Sequence, residues 1–525
     1  MDDISLAKLI TRRHPLYEAM LPQWQFMEST YNGGREWFKE NIFRYHKEGD
    51  SEYADRVKRA YRFNHTREVV DLVNKYLFRG SVSRSESAPE SVKQFWKQAT
   101  RSGLSISEFA RVMSVKSSIF GRPWVVVDSS IQLDSEQASQ ADLEKIDGQI
   151  YAYLVKPEDV LDLSYDEDGC LNWILIREKF RDDNDPFTSD GTTGDRYRLW
   201  TRNEWHLVTP KPGQKAKDLT FEYRSSEHGL GEVPVVPVDN QVMEEREDPP
   251  ALIADIAYLD RACANYCSNI DAIIQDQTFS QLTMPAQNLL PGDDGHAQVL
   301  EAGTKRVFTY DGQAGGKPEF ISPDPSQAEL ILSVINKIIA EIYNSVGLAG
   351  ENTKQDNAQG IDNSSGVAKS KDFERVNALL ASKADALETA ENRIVRLVCL
   401  WSGDEVPEHD LVEYSDTFDV RDMYDEFYIG MQLALLQMPA GIRREQIIKI
   451  LDKLFPFMAD DKRKKLIKEI EDWEPQSDTA ETNDFVSNVK SKLEGEAKRD
   501  RKASGEIQSR TKDRVSASDT PALTE

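Results

Sequence analysis

Cysteine is scarce in this chain of 525 residues, which contains four: Cys170, Cys263, Cys267 and Cys399. None of them stands in a Cys-x-x-Cys pair, the spacing that is typical of zinc and redox motifs. Cys263 and Cys267 are four residues apart on a predicted helix, so they either share a metal ion or fill the core as small apolar side chains, and we favour the second interpretation. Sparse, unpaired cysteine fits a reducing compartment.

Long apolar runs are also lacking. No run reaches the roughly 18 apolar residues that span a membrane. The first residues, MDDISLAKLITRRH, are acidic where a signal peptide is basic, and no continuous apolar stretch follows them. We therefore expect no membrane partner and no export.

Catalytic motifs are missing as well: the sequence has no Gly-x-Ser-x-Gly elbow, His-Glu-x-x-His pair or Gly-x-Gly-x-x-Gly turn. GQAGGK at 312–317 resembles a phosphate-binding loop, but three residues separate its outer glycines instead of four, and Pro318 replaces the Ser or Thr that would hold magnesium. YDEDG at 165–169 matches part of a calcium loop but lacks the closing glutamate, which favours a hairpin turn. We expect no catalytic residues, metal ions or cofactors.

Basic residues are outnumbered by acidic ones: the chain has 65 Lys and Arg and 91 Asp and Glu, which gives a formal net charge of −26. A protein that holds DNA tightly neutralises phosphates and should be basic. The acidic balance is either the ordinary surface of a soluble protein or a wall that repels phosphate, so that DNA slides along it. The length by itself indicates several domains.

The apolar pattern divides the first half of the chain into a helical and a β-rich part. Residues 1–120 are predicted to be helical, and between 52 and 80 the apolar residues recur at steps of three, four and seven, with Gly80 as the helix-ending residue. From 121 to 248, short β-rich stretches alternate with Gly, Asp, Asn and Pro. This alternation predicts a meandering antiparallel sheet.

Two apolar helices, 249–277 and 323–346, follow on either side of a Gly- and Pro-rich, partly extended insert, 278–322. Asp324 is predicted to cap the second helix, with Pro325 at its first position. The apolar residues of both helices step by four and three, which forms a narrow seam suited to packing along another helix. The seam residues are Leu252, Ile256, Leu259, Ile270, Ile331, Ile335, Ile338 and Ile342.

A polar stretch with four glycines, 347–366, comes next, and loops of this length are usually functional or disordered. It leads into a long predicted helix, 367–402, whose apolar residues recur every seven positions. Residues 420–474 are predicted to form further short helices. The tail, 476–525, mixes charge with Ser and Thr, so we expect it to be disordered or helical only in context.

This order of elements resembles the portal proteins, or head-to-tail connectors, of tailed double-stranded DNA phages. RAYRFNHTREVVDLVNKYLFRG at 59–80 is similar to a portal pattern that precedes an apolar helix. YLVKPEDVLDLSYDEDGCLNWILIRE at 153–178 is similar to portal wing strands, and VPVVPVDN at 233–240 to the strand that enters the stem. The likeness covers about 50–475 and lies more in the order of these stretches than in single residues.

The resemblance implies an α+β, mostly helical fold with a mixed α/β wing, a two-helix stem, a small α/β clip and a helical crown. The implied boundaries are a wing at 1–248 (helical to 120, β-rich from 121), a first stem helix at 249–277, a clip at 278–322, a second stem helix at 323–346, a tunnel loop at 347–366, a long wing helix at 367–402, a wing end and crown at 403–475, and a tail at 476–525. The role of the tail stays open.

The resemblance also implies a ring of twelve subunits at one capsid vertex of the virion, assembled in the host cytoplasm and without enzymatic activity. Double-stranded DNA would pass through the ring during packaging and ejection. The implied partners are the terminase packaging motor, a head-tail adaptor, and the major capsid and scaffolding proteins. Candidate DNA contacts in the tunnel loop are Lys354, Gln355, Asp356, Asn357 and Gln359. Candidate clip contacts to the motor and adaptor are Asp293, Asp294, Lys305 and Arg306.

Two other functions stay open at this point. A monomeric capsid-associated or adaptor protein would share the acidic composition but form no ring. A metal-dependent nuclease would need clustered carboxylates that bind two metal ions. The seams themselves pack either within one subunit or between subunits.

Overall fold

The structure is a computed structural model with a mixed α+β fold, about half helical, which is less helix than the sequence predicted. The chain divides into two compact units, Met1–Asp419 and Val420–Glu525. The residues described are 2–46, 48–79, 82–129, 149–181, 183, 185–189, 191–211, 220–243, 249–277, 281–285, 308–310, 319–321, 326–348, 366–415, 418, 444, 447–448, 451 and 460–472.

The chain up to residue 120 is helical, as predicted, apart from one two-stranded pairing. Two helix starts are fixed by side chains: Asn64 accepts a hydrogen bond from the Arg67 N–H (3.1 Å), and Ser105 and Glu108 form a reciprocal capping box. The elements are α1 (Asp3–Thr11), α2 (Tyr17–Asn32), α3 (Arg35–Asn41), α4 (Asp50–Arg59), α5 (His65–Leu77), β1 (Ser83–Arg84), α6 (Glu90–Lys97) and α7 (Ile106–Phe120).

Two antiparallel sheets follow, and they confirm the predicted β-rich part. One has the strand order β3-β2-β9, and the other is a five-stranded meander, β4-β5-β6-β7-β8. The predicted hairpin turn joins β4 to β5, with the Asp166 N–H donating to the Cys170 carbonyl (2.8 Å). The strands are β2 (Trp124–Ser129), β3 (Ile150–Val155), β4 (Val160–Tyr165), β5 (Leu171–Arg181), β6 (Thr193–Thr201), β7 (Glu204–Pro210), β8 (Phe221–Glu227) and β9 (Val235–Pro237).

Helix α8 (Ile256–Gln277) and helix α9 (Ser326–Ser345) pack side by side. Three short strands lie between them in sequence: β10 (Gln281–Pro285), β11 (Phe308–Tyr310) and β12 (Glu319–Ile321). β10 is central, parallel to β11 and antiparallel to β12, and Gln281 pairs with Ile321. Because β10 follows α8 closely and β12 closely precedes α9, the two helices are the antiparallel legs of a hairpin. The predicted cap, Asp324 with Pro325, lies outside the described residues.

The predicted long helix is α10 (Gly366–Ser402), which is followed by β13 (Val412–Glu413), the partner of β1. Its predicted seven-residue repeat is confirmed at Leu380, Leu387 and Ile394, all buried in the main core, while Trp401 is partly buried against it. In the second unit, α11 (Asp460–Asp472) is helical, in line with the prediction for that part. Over the described ranges, no helix combines the length and the apolarity needed to cross a bilayer.

Candidate functional site

The hairpin of α8 and α9 buries only part of the predicted seams. Ile256, Ile270, Ile335 and Ile342 are buried in the main core, as expected for packing within one subunit. The other four predicted residues are only partly buried against that core. They are Leu252, Leu259, Ile331 and Ile338.

Two details of the predicted seams are wrong. Leu252 lies before α8, which begins at Ile256. The buried face of α9 also includes Ile339 and Tyr343, because α9 packs against α5 as well as against α8. The Tyr343 ring lies 5.8 Å from the His65 ring at the start of α5, and their polar atoms are 3.2 Å apart. The buried face is therefore wider than a seam made for one partner helix.

The N-terminal half of α9 carries apolar side chains that are exposed and that no described part of the chain covers. Leu330 is 67% exposed and Leu332 is 49% exposed, although the same turns contribute Ile335 to the core. Exposed apolar patches mark interaction surfaces in many soluble proteins. This half of α9 is therefore a candidate contact surface, which we call the α9 face.

A second, different surface lies on α8. Tyr258 and Phe43 are exposed large side chains, and the guanidinium of Arg261 lies between them and Phe26. The Arg261 carbon is 4.6 Å from the Phe26 ring centre, 5.0 Å from that of Tyr258 and 5.4 Å from that of Phe43. Cation–π stacking of this kind fixes the side chains of the patch. We call these four residues the α8 face.

Buried polar contacts fix α8 to the helical part of the chain. Asp260 is 0% exposed, and its Oδ2 accepts hydrogen bonds from the Thr66 hydroxyl (2.8 Å) and N–H (3.2 Å) and from Arg62 (3.2 Å). Burial lowers the pKa of the Arg62 guanidinium, and the nearby Asp260 carboxylate opposes that shift. A charge pair buried this deeply is costly to break from one side. The start of α8 is thus held in one position.

A second ion pair holds the middle of α8. Arg56 donates to both carboxylate oxygens of Glu48 (2.7 Å each) and to the Ser268 hydroxyl (3.0 Å). The Arg56 hydrogen bonds hold the pKa of Glu48 below its usual value. Cys263 and Cys267 are buried in the main core on the same helix, which agrees with the interpretation as small apolar side chains.

A buried lysine on α10, which the sequence patterns did not predict, contacts the segment between β9 and α8. Lys383 on α10 is 2% exposed and donates to the Ser117 hydroxyl and to the Asn240 side-chain oxygen, each at 2.9 Å. Burial lowers its pKa to about 7. Asp239, the residue before Asn240, is paired with Arg122 (2.5 Å). Lys383 therefore joins α7, the segment after β9 and α10 without a carboxylate partner of its own among the described residues.

A signal for these buried charges does exist in the sequence. Lys383 falls between Leu380 and Leu387, three residues after one and four before the other, so it lies on the apolar face of α10. Asp260 likewise falls between Ile256 and Cys263 on the apolar face of α8. A charged residue at a core position of a helix is the pattern to look for.

The remaining predicted site residues cannot be placed. The five tunnel-loop positions from Lys354 to Gln359 lie outside the described residues, and so do Asp293, Asp294, Lys305 and Arg306. The GQAGGK stretch at 312–317 also lies outside them. Within the described part of the chain, no group of three or more His, Cys, Asp or Glu side chains is arranged to hold a metal ion.

Comparison with known families identifies the class of protein. The family described as "Phage portal protein, SPP1 Gp6-like" matches residues 16–482, which is most of the chain. The chain belongs to this family of phage portal proteins. These are structural proteins of the virion, not enzymes, and they form the ring-shaped head-tail connector at the portal vertex.

Solved structures similar to this chain come from gene transfer agent (GTA) particles. A chain of "Virion of native gene transfer agent (GTA) particle" aligns with a TM-score of 0.40 and 9% identity, over 81% of this chain and 92% of that one. A chain of the neck of the empty GTA particle gives 0.39 and 8%, over 71% and 86%. A chain of the neck of the native particle gives 0.36 and 11%, over 77% and 89%. No curated protein matches the chain.

Proposed function

We propose that this chain assembles into a closed ring, of twelve subunits by resemblance to its family, at one vertex of a phage capsid. Double-stranded DNA passes through the ring when the capsid is filled and again when the genome is ejected. The ring is also the platform on which a terminase packaging motor and later a head-tail adaptor dock. Capsid and scaffolding proteins surround it during assembly.

The observation that carries this proposal is a pair of unlike, exposed surfaces, one on α9 and one formed by α8 with Phe26 and Phe43. A closed ring needs a head-to-tail contact, in which one face of a subunit meets a different face of its neighbour. The α9 face, with Leu330 and Leu332, and the α8 face, around Arg261, supply two such surfaces. In the ring, each α9 face is covered by the neighbouring subunit. Burying each leucine contributes about 1.5–3 kcal/mol.

The acidic charge balance supports passage of DNA in preference to static binding. At a formal charge of −26 per subunit, the ring as a whole repels phosphate. Weak, local contacts can still guide the duplex. We assign them to the tunnel loop at 347–366, where Lys354 meets phosphate transiently and Gln355, Asp356, Asn357 and Gln359 supply polar contacts.

The sheet of β10, β11 and β12 lies at the end of the hairpin, within the insert at 278–322. We assign this insert to the outer end of the ring, the clip, where motor and adaptor dock in turn. Asp293, Asp294, Lys305 and Arg306 are the proposed contacts. The hairpin then serves as the stem, and residues 1–248 with α10 as the wing.

Substitution on the α9 face tests the ring. Leu330→Asp places a charge on the α9 face, and Asn344→Asp places the same charge on an exposed polar position in the last turn of the same helix, outside that face. Sedimentation velocity and negative-stain images should show rings for the unchanged chain and for Asn344→Asp, and mostly free subunits for Leu330→Asp. Circular dichroism should show that all three are equally folded. If the folded Leu330→Asp variant still formed full rings, the proposed contact through the α9 face would be refuted. If the unchanged chain formed no ring, the proposed function would be refuted.

A further inference from the structure

The tip of the β5–β6 hairpin carries a side chain that is almost wholly in water. Phe187 is 95% exposed, more than any other large apolar residue described. Its turn is nevertheless well fixed. Asp185 accepts hydrogen bonds from the Phe187 N–H (3.0 Å) and the Thr188 hydroxyl (2.6 Å), and the Asp185 N–H donates to the Ser189 hydroxyl (3.1 Å). A rigid turn that presents an aromatic ring to solvent loses little entropy when the ring is buried by a partner.

A groove with a volume of about 800 Å³ lies at a different place on the same unit. It runs between α2, the β4 region and the segment that leads into α8, and its walls are mostly apolar. Trp24, Phe120 and Trp124 line its floor, and Ala19, Met20 and Pro250 lie nearer its mouth. A groove of this size and composition accepts an aromatic side chain together with its neighbouring residues.

Phe187 cannot reach the groove of its own subunit. Asp162 lines the groove and pairs with Leu175 on β5. Arg181, where β5 ends, is six residues farther along that strand, about 20 Å away at roughly 3.4 Å per residue. The turn that holds Phe187 lies beyond Arg181. A Phe187 tip that fills this groove therefore belongs to another copy of the chain.

The charges of the two surfaces are complementary. The tip, RDDNDPFTSD at 181–190, has four aspartates and one arginine, and Arg181 pairs with Asp183 (3.8 Å). His14 lines the groove, and Arg13 precedes it in the sequence; Arg13 donates to the Ile10 (2.9 Å) and Arg12 (2.6 Å) carbonyls, and no described carboxylate pairs with it. The carboxylates beside the groove are already paired with cations, as Asp162 with Arg12, Glu158 with Lys156, and Asp159 with Arg177.

We infer that the Phe187 tip of one subunit inserts into the apolar groove of the next subunit around the ring, with its aspartates towards Arg13. The inference rests on the proposed ring and adds a contact at the level of the two sheets. It is heterologous, like the contact between the α8 and α9 faces, because a tip meets a groove and every subunit has one of each. Two separated contacts per neighbour define the rotation between subunits better than one.

Cysteine cross-linking tests this contact in the full chain. In a Cys170→Ser background, Phe187→Cys and Ala19→Cys replace two exposed residues, so neither change should affect folding. Mild oxidation of the double variant should give a ladder of covalent multimers on a non-reducing gel, because each tip bonds to the neighbouring groove. Either single variant, and the control pair of Phe187→Cys with Ser226→Cys on β8, should give no ladder.

A second measurement does not depend on disulfide geometry. Phe187→Ala should weaken each contact between subunits roughly tenfold to a hundredfold, the effect of removing one buried aromatic side chain. Native mass spectrometry over a dilution series should then show rings dissociating at higher protein concentration. Intact rings with no ladder and unchanged dissociation would overturn this inference and leave the proposed function standing. A chain that forms no ring at all would overturn both.

Discussion

Lys383 should make the stability of the protein depend on pH in a way that one substitution removes. Its pKa is about 7 in the folded chain, against 10.5 for an ordinary lysine, because burial disfavours the charged form. Between pH 7 and 10.5 the unfolded chain therefore binds more protons than the folded one. Stability should rise with pH across that window, and the cost of Lys383 should be largest below pH 7.

The magnitude follows from the two pKa values. Full desolvation of Lys383 costs about 5 kcal/mol below pH 7, and it is relieved at about 1.4 kcal/mol per pH unit up to pH 10.5. Lys383→Met removes this cost but leaves the Ser117 hydroxyl and the Asn240 oxygen without their donor, a loss of about 1–3 kcal/mol. We expect the variant to be the more stable protein at pH 7 and the less stable one near pH 10.5.

Urea unfolding followed by tryptophan fluorescence at pH 7, 8, 9 and 10 measures both proteins under the same conditions. The midpoint of Lys383→Met should lie above that of the unchanged chain at pH 7, and the difference should shrink and then change sign as the pH rises. Lys97→Met is the control, because Lys97 is exposed on α6, and its difference from the unchanged chain should be flat across the series. If the Lys383→Met difference were equally flat, the burial argument for Lys383 would be refuted.

Two further substitutions test packing near α8. Asp260→Ala leaves the Arg62 charge buried and unpaired, so the free energy of unfolding should fall by about 3–5 kcal/mol in urea titration; a loss below about 1 kcal/mol would contradict the buried pair. Gly121→Ala should lower the thermal midpoint far more than Gly103→Ala. Both glycines have positive φ (+84° and +87°), but only at Gly121 would a Cβ meet another atom, the Pro249 carbonyl oxygen, at 2.2 Å. Equal losses at the two glycines would show that the close approach at Gly121 costs nothing.

Local periodicity accounts for most of the fold that could be predicted. The seven-residue repeat of α10, the helical pair before residue 80 and the antiparallel meander all depend on residues that are close in sequence, so their patterns survive in the structure. The helix-insert-helix order of α8 and α9 was predicted for the same reason. The helical share was predicted too high, since the strands of the two sheets and of the insert occupy much of the remainder.

The candidate site was predicted less completely. Ile339 and Tyr343 were missed because the width of the buried face of α9 depends on α5, which is far away in sequence. Asp260 and Lys383 were missed because a charged residue is normally assigned to solvent, and only tertiary contacts reveal its partners. The groove proposed to bind the Phe187 tip is formed by four stretches that are far apart in the sequence, so no local sequence pattern predicts it.

Helix α10 has a mechanical consequence. Its 37 residues extend over about 55 Å. Along this length it bonds to β2 through Trp401 (2.9 Å to the Val127 carbonyl), to β1 through Glu391 and Arg84 (2.6 Å), and to α7 through Lys383. Bending of the helix under a force at one end would break these hydrogen bonds. Force applied where it begins, next to the polar stretch at 347–366 in the sequence, would move the β3-β2-β9 sheet and the β1–β13 pair together.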